Sequence, residues 1–165
     1  MPKGNYQILE IDELYWFIGK KPRTATRENV YVITMVSREP RQIIGFDAAY
    51  DKLPERVQQI VDNAGESKRY CTDGWFGYVD VIYPGKHIRN TRDKSDTFTV
   101  EGINADLRHY IPLLARRSRC FARSLETLLA VIAVFIDAYN KFGAAKAKHR
   151  ATHSTNPSFS LVDFF

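Results

Sequence analysis

Cysteine is scarce in this chain: Cys71 and Cys120 are the only two, and they lie far apart. No C-x-x-C pair exists, which argues against a zinc ribbon or a dithiol redox motif. The expectation is two buried thiols in a reducing cytosol. Long hydrophobic runs are lacking too. The most apolar stretch, Leu125 to Ile136, is too short to span a bilayer and includes Glu126, so no membrane span is expected. The start, Met1 to Gln7, is polar and contains Pro2 and Gly4, unlike a secretory signal. Localisation is therefore expected to be cytoplasmic. No internal repeat or low-complexity segment occurs, which excludes solenoids and arrays. Histidine numbers only four, and neither His87 nor His109 is expected to ligate metal.

What is present fits one sizeable core. With 165 residues and 13% aromatics the chain has single-domain length. We expect one main domain over 1–143 and a basic, docking tail over 144–165. The formal net charge is +5. Between Lys86 and Arg123 there are nine Lys or Arg against four acids, an excess equal to that whole net charge. Concentrated positive charge suggests an anionic partner.

In chain order, residues 7–18 are apolar and β-prone, with apolar side chains on both faces, as in a central strand covered on both sides. Glu10, Asp12 and Glu13 interrupt this run. A carboxylate inside such a strand is costly unless paired or metal-bound. Residues 30–36 and 41–48 read as two further strands joined by the short polar link Ser37 to Pro40. The first three strands thus form an antiparallel meander. A helix over 53–64 starts at Pro54 and stops at Gly65. A fourth strand, 68–72, leads into Asp73-Gly74-Trp75 and a helix over 76–83. A short fifth strand covers 86–88. Next comes a helix over about 99–117, kinked or divided by Pro112. Ser124 is the N-cap of a final helix, 125–140, apolar on nearly all sides and ended by Gly143. The last apolar residues, Leu161 to Phe165, are expected to dock on the core.

Within this order, Val100 to Arg108 stands out. Glu101, Asn104 and Arg108 fall within about 60° of one another on a helix. Ile103, Leu107, Tyr110, Ile111 and Leu114 form the apolar stripe beside them. Asp12 in the first strand and Asp73 at the end of the fourth complete a set of three carboxylates. Such a layout is that of an RNase H-like α/β fold: a mixed central sheet, an antiparallel three-strand meander plus parallel strands, flanked by helices. Converging carboxylates suit Mg²⁺, a hard cation that takes oxygen ligands. Two ions about 3.5–4 Å apart can hold the attacking and leaving oxygens of an in-line phosphoryl displacement. Spacing alone is a weak signal, since a chain with 19 acids contains many such triples.

Three longer blocks strengthen it. Ile11 to Lys21 (I-D-E-L-Y-W-F-I-G-K-K), Thr72 to Tyr78 (T-D-G-W-F-G-Y) and Val100 to Ser124, with its E-x-x-N-x-x-L-R and later basic run, resemble in order and placement the catalytic blocks of insertion-sequence transposases of the IS-one family. The resemblance spans roughly residues 8 to 142. It implies a DDE transposase with an RNase H-like catalytic domain. Such an enzyme cuts double-stranded DNA at the ends of a mobile element and joins the 3′-hydroxyls to target DNA. Asp12, Asp73 and Glu101 fall on the family's three carboxylates, implied to be both catalytic and metal-binding. The implied cofactor is a pair of Mg²⁺ ions, with Mn²⁺ as a substitute.

Full-length relatives carry a zinc-finger and helix-turn-helix region before the first acid, whereas eleven residues precede Asp12 here. We therefore expect a separate or frameshift-fused DNA-reading protein as partner. A homo-oligomeric complex and a nucleoid-associated location are further implications. Candidate DNA contacts are Lys20, Lys21, His87, Asn104, Arg108, Arg116, Arg117, Arg119 and Arg123, mostly through backbone phosphate. Asn104 and Arg108 could equally orient Glu101. Glu13 should point to the opposite face from Asp12 and is expected to be structural. Trp75 and Tyr78 are expected in the core rather than as base-stacking platforms. Two other readings stay open: a non-catalytic remnant or regulatory DNA-binding product of an insertion sequence, and an RNase H-like nuclease or resolvase.

Overall fold

A computed structural model describes residues 4–19, 29–92, 95–115 and 120–152. Five strands form one sheet: β1 (Tyr6–Phe17), β2 (Asn29–Ser37), β3 (Gln42–Ala49), β4 (Ser67–Thr72) and β5 (Lys86–Arg89). Their order is β3-β2-β1-β4-β5. β1 pairs antiparallel with β2 and parallel with β4; β2 and β3 are antiparallel, and β4 and β5 parallel. This is the expected RNase H-like arrangement, with β1 in the centre.

Alternation along β1 divides the core. Leu9 and Ile11 face one side, with Ile33, Met35 and Ile44, and pack on Val57, Ile60 and Val61 of α1 (Pro54–Ala64). Leu14 and Trp16 face the other, with Val30 and Val32. They pack on α2 (Phe98–Tyr110) and α3 (Leu125–Thr152) through Val100, Ile103, Leu107, Leu128 and Ile132. α1 ends at Gly65, whose φ of 91° and 2.7 Å approach of a would-be Cβ to the Gly4 carbonyl both favour glycine.

Five expectations change. The segment over 76–83 is a 3₁₀ turn, Phe76–Asp80. Buried Tyr78 and Val81 and half-buried Trp75 recur every three residues, the 3₁₀ period rather than 3.6. The helix that should reach Arg117 stops at Tyr110. Pro112 divides it: Ile111 turns extended, and Pro112–Leu114 forms a separate 3₁₀ turn. α3 does not stop at Gly143 but runs to Thr152. Nor is it buried on all of its apolar sides, since Leu128, Ile132 and Ile136 are buried in one stripe while Val134 is exposed. Ser124 does cap it, its Oγ accepting the Thr127 N–H at 3.2 Å. Cys71 is buried as expected, but Cys120 is exposed. The docking of Leu161 to Phe165 lies outside the described residues.

Two polar contacts fasten helices to the sheet. Asn140 of α3 covers the exposed edge of β3, its amide accepting from the Ile43 N–H and donating to the Ile43 carbonyl, each at 2.8 Å. The other is deeper. Glu10 of β1 is fully buried. Its Oε2 accepts the N–H groups of Thr99 (2.7 Å) and Val100 (2.9 Å), and Oε1 pairs with the Arg38 guanidinium at 2.6 Å. Thr97, at the N-cap position, supplies no side-chain cap. A carboxylate from the sheet therefore satisfies the orphan amides of α2 and meets the positive end of its dipole.

Removing that carboxylate leaves Arg38 and two helix amides without it. Glu10→Ala should cost about 2–4 kcal/mol, below the upper range for a wholly buried pair because Arg38 retains some exposure. Urea unfolding at pH 7 measures it, and a loss under ~1 kcal/mol, the scale of a surface ion pair, would contradict the anchor.

Candidate active site

The ladder between β1 and β4 ends at the pair Ile11↔Thr72, whereas β1 stays paired with β2 as far as Phe17. The next residues on the two parallel strands are Asp12 and Asp73. β4 leaves the sheet there, so β1 runs on with no neighbouring strand on that side among the described residues. Asp73 starts a tight turn, its Oδ1 accepting the Trp75 N–H at 2.9 Å. Asp12 lies two residues beyond Glu10 on the same face of β1, facing α2. There Asn104 donates to Asp12 Oδ2 at 3.0 Å and accepts the Thr34 hydroxyl at 2.8 Å. Thr34 is the cross-strand partner of Asp12. Strand, strand and helix thus close a triangle around one carboxylate.

Asp12, Glu13, Asp73, Glu101, Asn104 and Arg108 line a single cleft. The residues quoted from three separate sequence blocks meet there. Carboxylate oxygens of Asp12, Glu13 and Asp73 come within 4.8 Å of one another. Glu101 lines the cleft outside that closest group, on the fourth residue of α2, with Thr97 Oγ1 at 3.5 Å from its Oε1. An all-oxygen donor set of this kind suits a hard divalent cation.

The family model for IS1 transposases matches residues 7–142. The chain belongs to the IS1 transposase family. No curated protein matches it. The matched span of this transposase contains the whole cleft. It also covers the sheet, apart from Tyr6, and both helices that flank β1 on the cleft side, α3 in part. No helix among the described residues is long and apolar enough to cross a membrane.

The remaining candidate residues are placed as follows. Arg108 is half-buried in the cleft wall, one turn beyond Asn104. Arg123 is exposed just before α3. His87 is held by Thr72 Oγ1 at 2.9 Å and stacks on Tyr83 with ring centroids 4.2 Å apart. Burial, aided by nearby Arg89, lowers its pKa below the ordinary histidine value, so it is neutral at pH 7. Lys20, Lys21, Arg116, Arg117 and Arg119 lie outside the described residues.

Two participants escaped the sequence reading. Glu13 does belong to the face opposite Asp12, where buried Tyr78 donates to its Oε2 at 2.6 Å. Yet its carboxylate reaches the same oxygen cluster, because the missing neighbour strand lets side chains of both faces meet. Lys52, in the link between β3 and α1, is the second. Its ammonium pairs with Glu13 Oε1 and lies 3.9 Å from the centroid of the Trp75 ring. Burial lowers the Lys52 pKa, with Asp73 and Asp12 opposing that shift. Tyr78 is pushed well above the usual phenol value, first by burial and then by Asp12 and Asp73, so it stays a donor. Trp75 and Tyr78 are core residues, in edge-to-face contact at 5.0 Å.

Asn104 is only 4% exposed, so losing its amide strands two partners in the interior. Asn104→Ala should lower stability by about 1–3 kcal/mol in the presence of a chelator, the scale for a buried polar group left unsatisfied. The urea midpoint reads this, and an unchanged midpoint would show that the Thr34–Asn104–Asp12 triangle holds nothing in place.

Proposed function

We propose that the chain is the catalytic domain of a DDE transposase that cuts the ends of its element and transfers the strands into target DNA. What carries this reading is that Asp12, Asp73 and Glu101, drawn from three sequence blocks, line one cleft in a chain of the IS1 transposase family. Asp12, Asp73 and Glu101 are assigned as catalytic metal ligands, and two Mg²⁺ ions as the cofactor, with Mn²⁺ as a substitute. Bound there, divalent ions would supply Lewis-acid polarisation of the phosphate and a nucleophile active at neutral pH.

In the first step a water oxygen bonds to phosphorus and the 3′-oxygen leaves, giving a free 3′-hydroxyl. In the second, that hydroxyl attacks a target phosphate, a new P–O bond forms and the target's own 3′-oxygen leaves. The chain's residues contribute position. Asn104 holds the Asp12 carboxylate, the turn at Trp75 holds that of Asp73, and Glu10 fixes the start of the helix that carries Glu101. Arg108 in the cleft wall is placed to meet a phosphate close to the scissile bond, and His87 is kept as a contact beside β4. Arg123, with Lys20, Lys21, Arg116, Arg117 and Arg119, is assigned to the DNA backbone, where basic side chains give salt-dependent, sequence-independent affinity. Recognition of the element ends by a separate or frameshift-fused zinc-finger/helix-turn-helix protein, a homo-oligomeric complex, a nucleoid location and a basic tail over 144–165 complete the proposal on the strength of the family resemblance.

The test is end cleavage on DNA carrying the element termini, with the DNA-reading partner supplied. Asp73→Asn and Glu101→Gln should each reduce Mg²⁺-dependent cleavage by roughly 10²–10³-fold or more, the scale for losing one electrostatic stabiliser of the transition state. DNA affinity should stay within about threefold, since these residues are not phosphate partners. Chelation should abolish cleavage of the unmodified protein. Cleavage retained by either variant would overturn the assignment, and cleavage of structured DNA lacking element ends would favour a resolvase instead.

A further inference from the structure

The acidic cluster already contains a cation. Lys52 reaches it from the loop before α1, and its side chain is 17% exposed. Its ammonium pairs with Glu13 Oε1, while Tyr78 occupies Oε2, so both oxygens of Glu13 are taken. Lys52 is also held from the side, 3.9 Å from the Trp75 ring centroid and 5.9 Å from that of Tyr78. Trp75 itself has little freedom. Its N–H is bonded to Asp73, and its ring lies so close to Gly77 that a Cβ there would approach to 2.3 Å. Lys52 is therefore a caged charge rather than a mobile surface lysine.

Asp12, Glu13 and Asp73 need such a charge. Three carboxylates within 4.8 Å repel one another strongly unless a cation lies among them. A divalent ion entering the same oxygens meets the ammonium as a like charge and must compete with it for Glu13. We infer that Lys52 is a built-in counter-cation that competes with the divalent metal for the Asp12–Glu13–Asp73 carboxylates and so sets how tightly the site loads. Lys52 keeps the empty cluster folded and keeps metal affinity low. It is a positioning residue with an effect opposite in sign to that of a ligand. This rests on the reading that the cleft takes a divalent cation, and the experiment separates the two.

Mn²⁺ binding to the full chain without DNA, followed by calorimetry or by the loss of the free-ion electron paramagnetic signal, tests it. Lys52→Met keeps the length and the contact with Trp75 but removes the charge. It should bind Mn²⁺ about tenfold tighter, by relief of like-charge repulsion at short range. Glu13→Gln, which leaves the ammonium in place and removes one carboxylate, should bind several-fold more weakly. A purely structural Lys52 gives Lys52→Met an unchanged or weaker affinity, and that result overturns the inference while leaving the metal reading intact. No binding by either the unmodified chain or Lys52→Met overturns both. Should Lys52→Met not fold, the unmodified chain still decides. Mn²⁺ should raise the acylation of Lys52, measured by mass spectrometry, as the amine leaves Glu13, and constant labelling at saturating Mn²⁺ overturns the proposal.

Discussion

The contact on which this structure depends most is the buried carboxylate of Glu10. It accepts the first amides of α2 and pairs with Arg38. Neither oxygen meets water, so the desolvation of the charge must be offset by these three donors. The geometry is strict as a result. A helix start cannot slide along β1 without stranding either its amides or the carboxylate. From that fixed point the periodicities do the rest. Two residues along β1 on the same face is Asp12. Five residues along α2 from Thr99 is Asn104, whose amide meets Asp12. Two residues further on β1 is Leu14, which joins Val100, Ile103 and Leu107 in the core. Anchor, site and packing follow one another along a single strand face, so an error at the anchor is transmitted to the site.

The cleft itself has a topological cause. A sheet whose strands all ended together would keep the two faces of β1 apart, and Asp12 and Glu13 would never approach. Here β4 stops at Thr72 while β1 continues beside β2 to Phe17. The gap beside β1 is where the chain turns at Asp73. Functional groups gather at the carboxyl ends of strands in open α/β sheets because the connections diverge there, and the divergence of β4 from β1 is a local case. It brings acids from both faces of one strand and from the end of its neighbour to a common point, and it exposes them to whatever enters the cleft.

How much of this was legible in the sequence differs by element. The strands were readable because β1 to β4 are rich in β-branched and aromatic residues with turn signals between them. Asp12, Asp73 and Glu101 were readable as a set because the blocks that carry them resemble the family's three catalytic blocks, while their spacing alone was a weak signal. The division at Pro112 was expected, but the helix was read as far as Arg117 because the apolar stripe continues through Ile111 and Leu114. Periodicity records burial, and these two residues are buried in both descriptions. The segment after Asp73 was misread for a related reason: five residues are too few to separate a period of three from one of 3.6. Glu10 and Lys52 were not readable as participants. Glu10 bonds to amides 89 and 90 positions away, and the pairing of Lys52 with Glu13 depends on where the loop before α1 lands. No local pattern encodes either.

The charge distribution follows from the same facts. The cleft carries both signs, since Arg108 lines it together with Asp12, Glu13, Asp73 and Glu101. Basic side chains attract a polyanion, whereas clustered carboxylates repel one until cations offset their charge. Lys52 supplies one positive charge beside the three close carboxylates, and Arg108 supplies another in the cleft wall. On the proposed reading, a phosphate that approaches Asp12 and Asp73 does so together with divalent cations or after them. On that reading the order of binding is an electrostatic property of the cleft, because its carboxylates decide whether the scissile group can approach at all.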